Sequence, residues 1–229
     1  MQNMIHVEGL HKYYDTGLVK VHALRGLDFS VKKGEMVAVM GPSGCGKTTL
    51  LNCLSSLDDI TEGNVWLAGR NLTEMSDDQK TEMRALEMGF VFQFYNLMPV
   101  LTAIENVELP LLLAGKAKDA RRRAKKALKI VGLGDRMDHR PSALSGGERQ
   151  RVTIARAIVN EPKIIWADEP TGDLDSVTSS KIMDILDILN EKIGHTMVLV
   201  THERTIAERA ERIVHMESGV IQREEFMED

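Results

Sequence analysis

Cysteine is scarce in this 229-residue chain: Cys45 and Cys53 are the only two. Two thiols cannot build a disulfide scaffold, and they suit a reducing compartment such as the cytosol. Long apolar runs are missing as well. The most apolar region, Val107 to Gly115, is short and contains Glu108 and Pro110, whereas a spanning helix needs roughly 20 apolar residues. The opening residues, MQNMIHVEGLHKYY, lack the charged-then-apolar layout of a secretory signal. Positive charge is not in excess either. The formal net charge of −5 argues against a nucleic-acid-binding surface spread over the whole molecule. Repeats and low-complexity linkers are absent. What remains is an ordinary globular composition, 43% hydrophobic and 28% charged, in a chain long enough to bury a proper core. Work at a membrane would have to go through a partner.

Short apolar runs rich in β-branched residues occur at Met36–Met40, Phe90–Phe92, Lys163–Ala167 and Thr196–Thr201. Helix-length segments alternate with them, the pattern of a parallel sheet covered on both faces. Near the start, Ile5–Leu10 and Val21–Val31 have no helix between them and read as an antiparallel β element beside that sheet. From about Thr102 to Gly134 no strand is convincing, so this stretch reads as a helical insert. Within it, Lys116–Lys129 is strongly basic and helical in propensity. It is either a solvated helix face or a contact for anionic lipid headgroups or an acidic partner loop.

The first motif with chemistry in it is Gly41-Pro42-Ser43-Gly44-Cys45-Gly46-Lys47-Thr48, which matches the phosphate loop G-x-x-x-x-G-K-[ST]. A buried-type strand precedes it, and a helix over Thr48–Leu57 follows, with Leu50, Leu51, Leu54 and Leu57 on one side. The glycines let backbone N–H groups converge on phosphates, and the helix start adds its dipole. Lys47 would reach the β- and γ-phosphates of ATP, and the Thr48 hydroxyl would bind Mg²⁺, with Thr49 beside it among the nucleotide contacts. Cys45 reads as a small tolerated side chain and not as a reactive thiol.

The second motif, Ile164-Ile-Trp-Ala-Asp168-Glu169, is an apolar strand ending in two acids at the ligand-binding edge of the sheet. Asp168 would hold Mg²⁺ through water, and Glu169 would orient and deprotonate the attacking water. Trp166 reads as sheet packing. In the third motif, Leu144-Ser145-Gly146-Gly147-Glu148 opens a helix with apolar Val152, Ala155, Ile158 and Val159. A Ser-Gly-Gly turn at a helix start is a second anion-binding site, and one chain needs only one γ-phosphate site.

With these three motifs in order, the sequence resembles the ATP-binding cassette (ABC) ATPases over nearly its whole length. Gly41–Thr48 is similar to their Walker A, Leu144–Glu148 to their signature and Ile164–Glu169 to their Walker B. Gln93 after Phe90-Val-Phe92 resembles the Q-loop, Asp173-Leu-Asp175 the D-loop, and His202 the switch histidine. The resemblance implies that His202 contacts the γ-phosphate and that Gln93 contacts Mg²⁺ or water and senses the partner. It implies that Tyr14 stacks on adenine, with Tyr13 the lesser candidate, and that Asp175 lies near nucleotide. Two positions depart from the usual pattern, Asp173 for Ala or Asn and Glu203 for Asp. Neither removes a catalytic group. The implied fold is the α/β P-loop NTPase ABC cassette: one domain over 1–229, with a mainly parallel core and antiparallel β elements at about 1–92 and 160–229. A helical subdomain would occupy about 100–159.

A narrower resemblance, through Phe90–Val107, His139–Arg151 and Ala167–Gly172, is to the lipoprotein-releasing (LolD-type), macrolide-efflux (MacB-type) and FtsE-like branch. It implies two copies paired head to tail, each ATP held between the phosphate loop of one and Ser145–Gly147 of the other. It also implies an integral membrane permease of the FtsX/MacB type as partner, and a cytoplasmic place, peripheral on the cell membrane. Phe94, Tyr95, Leu97 and Met98 could line a groove for a short permease helix. The alternative is a soluble cassette ATPase acting on ribosomes or DNA. Such proteins usually carry two cassettes or a long coiled-coil insertion, so no nucleic-acid partner is expected.

Overall fold

The computed structural model describes residues 3–15, 17 and 19–227. The chain opens with two long strands, β1 (Asn3–Asp15) and β2 (Lys20–Lys32), paired antiparallel. Their ladder shifts register at several points, and bulges of this kind bend and twist a β ribbon. Strand β3 (Met36–Met40) then enters a different sheet and leads through the glycine-rich loop into helix α1 (Lys47–Leu54). The helix stops three residues before the expected Leu57. Ser55 caps it, and Ser56 takes a positive φ of 53°, which an α-helix does not accommodate. Strands β4 (Glu62–Leu67) and β5 (Arg70–Asn71) return to the first sheet, whose order is β2-β1-β4-β5.

Helix α2 (Asp77–Glu87), opened by a reciprocal cap between Ser76 and Gln79, leads into β6 (Met88–Phe92). Three helices follow without an intervening strand: α3 (Ala103–Leu113), α4 (Ala120–Ile130) and α5 (Gly146–Ile158). The chain returns to the second sheet through β7 (Ile164–Asp168), α6 (Ser176–Glu191), β8 (Thr196–Thr201) and the short α7 (Arg204–Ala207). It closes with the hairpin β9 (Arg212–Glu217) and β10 (Val220–Phe226). The second sheet has the order β10-β9-β3-β8-β7-β6 and is parallel except at that hairpin. The expected α/β fold, with a mainly parallel core sheet and an N-terminal antiparallel β element, is what the chain adopts.

Because side chains alternate along a strand, the buried strands of the parallel sheet feed two cores. Met36, Ala38, Ile165, Ala167, Met197 and Leu199 face one side, where α3, α4, α5 and α6 pack over them in one continuous apolar cluster. Val37, Val39, Ile164, Trp166, Val198 and Val200 face the other, against α1 and the antiparallel sheet. Trp166 is 1% exposed, so its role is packing.

Candidate active site

Strands β3, β7 and β8 are parallel neighbours that end together: Met40 pairs with Thr201, and Asp168 with Val200. Their carboxyl ends therefore bring the loop 41–46, the pair Asp168–Glu169 and His202 to one edge, where open α/β sheets bind ligands. The loop's shape depends on missing side chains. A Cβ on Gly41 would lie 2.1 Å from the carbonyl oxygen of Met216, and Gly46 takes a φ of 106° at the start of α1. Cys45 is 5% exposed and turned inward, so it offers the site backbone and not sulfur. Its carbonyl accepts a bond from the Gly219 amide at 2.9 Å. Lys47 lies over the loop, its Nζ donating to the carbonyls of Gly41 and Pro42 at 2.8 and 3.0 Å.

Thr48 Oγ1 donates to Asp168 Oδ1 at 3.3 Å, joining the first turn of α1 to the end of β7. Burial holds the Asp168 carboxyl above the usual carboxylate range. The Thr48 bond and the Lys47 charge oppose that shift, and neighbouring Glu169 reinforces it. Glu169 sits at a φ of 47°, a left-handed position costing a non-glycine residue of order 1 kcal/mol. Its amide donates to Val200 O at 2.9 Å, and its Oε1 lies 2.8 Å from His202 Nδ1. Gln93, just past β6, donates from Nε2 to Asp173 Oδ1 at 3.1 Å. Asp173, one of the two departures from the family pattern, is thus the partner of the glutamine amide.

A cavity of about 990 Å³ opens at this edge. Tyr14, the stretch Pro42 to Thr49, Gln93, Glu169 and His202 all line it. The Tyr14 hydroxyl donates to Asp58 Oδ2 at 2.6 Å; burial, with Asp58 second, pushes its phenol up to about 12. Tyr13 is not part of the lining and stacks instead on His22 at 4.0 Å. Val21 and Ala23 of β2 and the turn Ser218–Gly219 also line the cavity, and the sequence reading did not include them. The one signal for that turn is its Ser-Gly dipeptide. Gly219 has a φ of 81°, and a Cβ there would lie 2.5 Å from Ala23 O.

Ser145, Gly146, Gly147 and Asp175 do not line this cavity. Ser145 caps α5 reciprocally with Glu148: the Glu148 amide donates to Ser145 Oγ at 3.3 Å, and the Ser145 amide to Glu148 Oε2 at 2.8 Å. The amides of Gly146 and Gly147, in the first helical turn, have no intrahelical acceptor. Asp175 caps α6, accepting from the Thr178 amide at 3.0 Å and from Thr178 Oγ1 at 2.7 Å. Those bonds hold its carboxyl below the ordinary range. A Cβ on Gly147 would lie 2.5 Å from Thr178 Cγ2, so the two helix starts abut.

Among the described residues no group of three or more His, Cys, Asp or Glu is arranged to hold a metal ion. Thr48 and Asp168 do fit Mg²⁺, which takes one or two protein oxygens and completes its octahedron with waters and substrate phosphates. Among the described residues no helix is long and apolar enough to cross a membrane.

Comparison with known proteins gives the family. Residues 24–172 match the family model described as ABC transporter. The chain is 46% identical over 211 residues to the lipoprotein-releasing system ATP-binding protein LolD of Legionella pneumophila, covering 92% of this chain and 93% of that one. It is 46% identical over 219 residues to the macrolide export ATP-binding/permease protein MacB 1 of Aeromonas hydrophila; that match takes in 95% of this chain but 34% of the longer protein. Among solved structures, a dimeric post-hydrolysis state of the cassette MJ0796 bound to ADP and Pi superposes with a TM-score of 0.91. It shares 43% identity and covers 99% of this chain and 100% of that one; MJ0796 is from Methanocaldococcus jannaschii. The chain belongs to the ABC transporter family. Within that family it is an ATP-binding subunit and an ATPase.

Proposed function

We propose that the chain binds ATP with Mg²⁺ on the 41–49 loop and hydrolyses it to ADP and phosphate. Two copies act together, and a membrane permease uses the work. The backbone of Gly41–Gly46 cradles the phosphates, and Lys47 exchanges the loop carbonyls for the β- and γ-phosphate oxygens. Tyr14 stacks on adenine. Thr48, Asp168 and the Gln93 amide oxygen would hold Mg²⁺, which would neutralise charge developing on the phosphates. Glu169 takes a proton from water as its oxygen attacks the γ-phosphorus and the bond to the β,γ-bridging oxygen breaks. His202, oriented by Glu169, contacts the γ-phosphate.

The observation that carries this reading is a division of parts. Phosphate loop, base and His202 meet in one cavity, with Asp168 joined to it through Thr48, while the anion-ready Ser145–Gly147 turn and Asp175 stay outside it. Each copy then presents half of two sites, and ATP shared between copies holds the pair closed until hydrolysis removes the γ-phosphate contact. The dimeric MJ0796 cassette, bound to ADP and Pi, supports the pairing of two copies. Glu169→Gln should leave ATP affinity intact and lower steady-state turnover by roughly 10²–10⁴, the usual worth of a general base. It should also convert the chain to an ATP-dependent dimer by size-exclusion chromatography; turnover near wild type removes Glu169 from this role.

The permease is of the FtsX/MacB type in this proposal, with export, lipoprotein release or mechanotransmission as the coupled work. The cassette then sits peripherally on the cytoplasmic face of the membrane. The LolD and MacB relatives support that branch, as do Phe94 and Met98, 72% and 46% exposed beside the Gln93 loop. We read 1–229 as one cassette domain, its helical part at about 100–159 and its core in the flanking segments.

A further inference from the structure

The loop from Gln93 to Leu101 carries the exposed apolar side chains Phe94, Met98 and Val100. Within it, two consecutive non-glycine residues adopt left-handed backbone, Tyr95 at φ 60° and Asn96 at φ 49°. Each is disfavoured for an L-residue, and two in a row persist only where the surroundings hold them. Arg156, in the last turn of α5, provides that hold. Its Nη2 donates to Tyr95 O at 2.8 Å and its Nη1 to Asn96 O at 2.6 Å. A planar fork spans two successive carbonyls; the point-like ammonium of lysine does not. Among the described residues no carboxylate lies within ion-pair distance of Arg156, so this half-buried guanidinium is committed to the two carbonyls.

The same helix grips the loop toward its other end. The Arg149 guanidinium lies 4.9 Å from the centroid of the Tyr95 ring, and the Tyr95 hydroxyl lies 3.2 Å from where a Cβ on Gly146 would stand. Gln150 donates to Phe92 O at 3.4 Å and to Pro170 O at 2.6 Å. One face of α5 therefore runs from the Ser-Gly-Gly turn to Arg156 in contact with the loop. A regular helix of this length transmits a displacement at one end to the other as a rigid body.

We propose that Arg156 is a positioning residue for ATP turnover: by clamping Tyr95 and Asn96 it fastens the exposed loop to α5, so that movement of the loop reaches the Ser145–Gly147 turn. The proposal rests on reading that turn as the half-site for the ATP of a second copy. The full chain tests it, with calorimetric ATP affinity and kcat measured side by side. Arg156→Lys should keep affinity within about twofold and lower kcat by about tenfold, the loss of roughly 1.4 kcal/mol of transition-state stabilisation. Asn96→Val should reproduce that loss without touching Arg156 or the core, because a β-branched residue resists positive φ. Arg156→Lys combined with Asn96→Gly should recover at least half of the lost kcat, since glycine takes the left-handed conformation freely. Wild-type kcat in Asn96→Val, or no recovery in the combined variant, overturns the proposal. Ser145→Arg separates the two claims. If it leaves turnover intact, the reading of the turn falls; if it abolishes turnover while Asn96→Val does not lower it, only the coupling falls.

Discussion

At the scale of single residues, the site is built from groups whose chemistry the chain announces and from others it conceals. Lys47, Thr48, Asp168 and Glu169 are legible because their spacing after a strand has few other uses. Gln93 and His202 are ordinary residues after ordinary strands, and only resemblance to the ABC ATPases singled them out. Val21 and Gly219 could not be found this way: Val21 is an apolar residue paired with Tyr14 across the first hairpin, and Gly219 is brought in by the distant pairing of β9 with β3. The left-handed backbone at Tyr95 and Asn96 is equally silent, because nothing in a Tyr-Asn dipeptide demands it. Tyr14 offers a direct check. Its phenol, pushed up to about 12, remains a protonated donor to Asp58, while its ring faces the cavity. Tyr14→Ala should weaken ATP binding by about 1–3 kcal/mol, the worth of one stacked base, and Tyr14→Phe should retain most of the affinity. Equal calorimetric affinity for all three proteins would exclude the stacking role.

At the scale of elements, the parallel strands were legible from their apolar runs. The strands of mixed polarity were not: β4 begins Glu-Gly-Asn, and β10 reads Val-Ile-Gln-Arg-Glu-Glu-Phe. Strand β4 buries only Val65 and Leu67 at its far end, and β10 buries no full face, so pairing to a neighbour is the larger part of what makes both of them strands. The basic helix α4 also becomes clearer. Arg121, Arg122 and Arg123 reach Glu108, Asp119 and Glu161, whereas Lys125, Lys126 and Lys129 are exposed, as a solvated helix face requires. The β9–β10 hairpin carries a pH-dependent tie. Bonds from Arg204, and next from His215, hold the Glu225 carboxyl down to about 2 from 4.5. Because the folded value lies below the unfolded one, the stabilisation is complete above 4.5 and is lost as pH falls from there towards about 2. Wild type should therefore melt above Glu225→Gln at pH 6, and the gap should narrow steadily below 4.5. A gap of the same size at pH 3 would contradict this tie.

At the scale of the whole molecule, a chain holding two unlike half-sites should behave as a second-order enzyme when dilute. Turnover per chain should rise with protein concentration and then level off once pairing is complete, while ATP affinity measured on the dilute chain stays constant. A specific activity independent of concentration over the whole range would mean that one copy suffices. The domain fold was the most legible level of all, because alternating strands and helices around a phosphate loop leave few topologies open.

The alternation of side chains on β3, β7 and β8 has one more consequence. These strands are shared by both cores, and they end in the phosphate loop, the carboxylate pair and His202. The helices on one side and the antiparallel sheet on the other each hold on to the middle layer, and neither has to hold the other. The molecule is therefore arranged like a balance, with the chemistry mounted on the fulcrum. The reacting groups keep their register because all of them are carried by the shared strands, whichever outer layer packs on them.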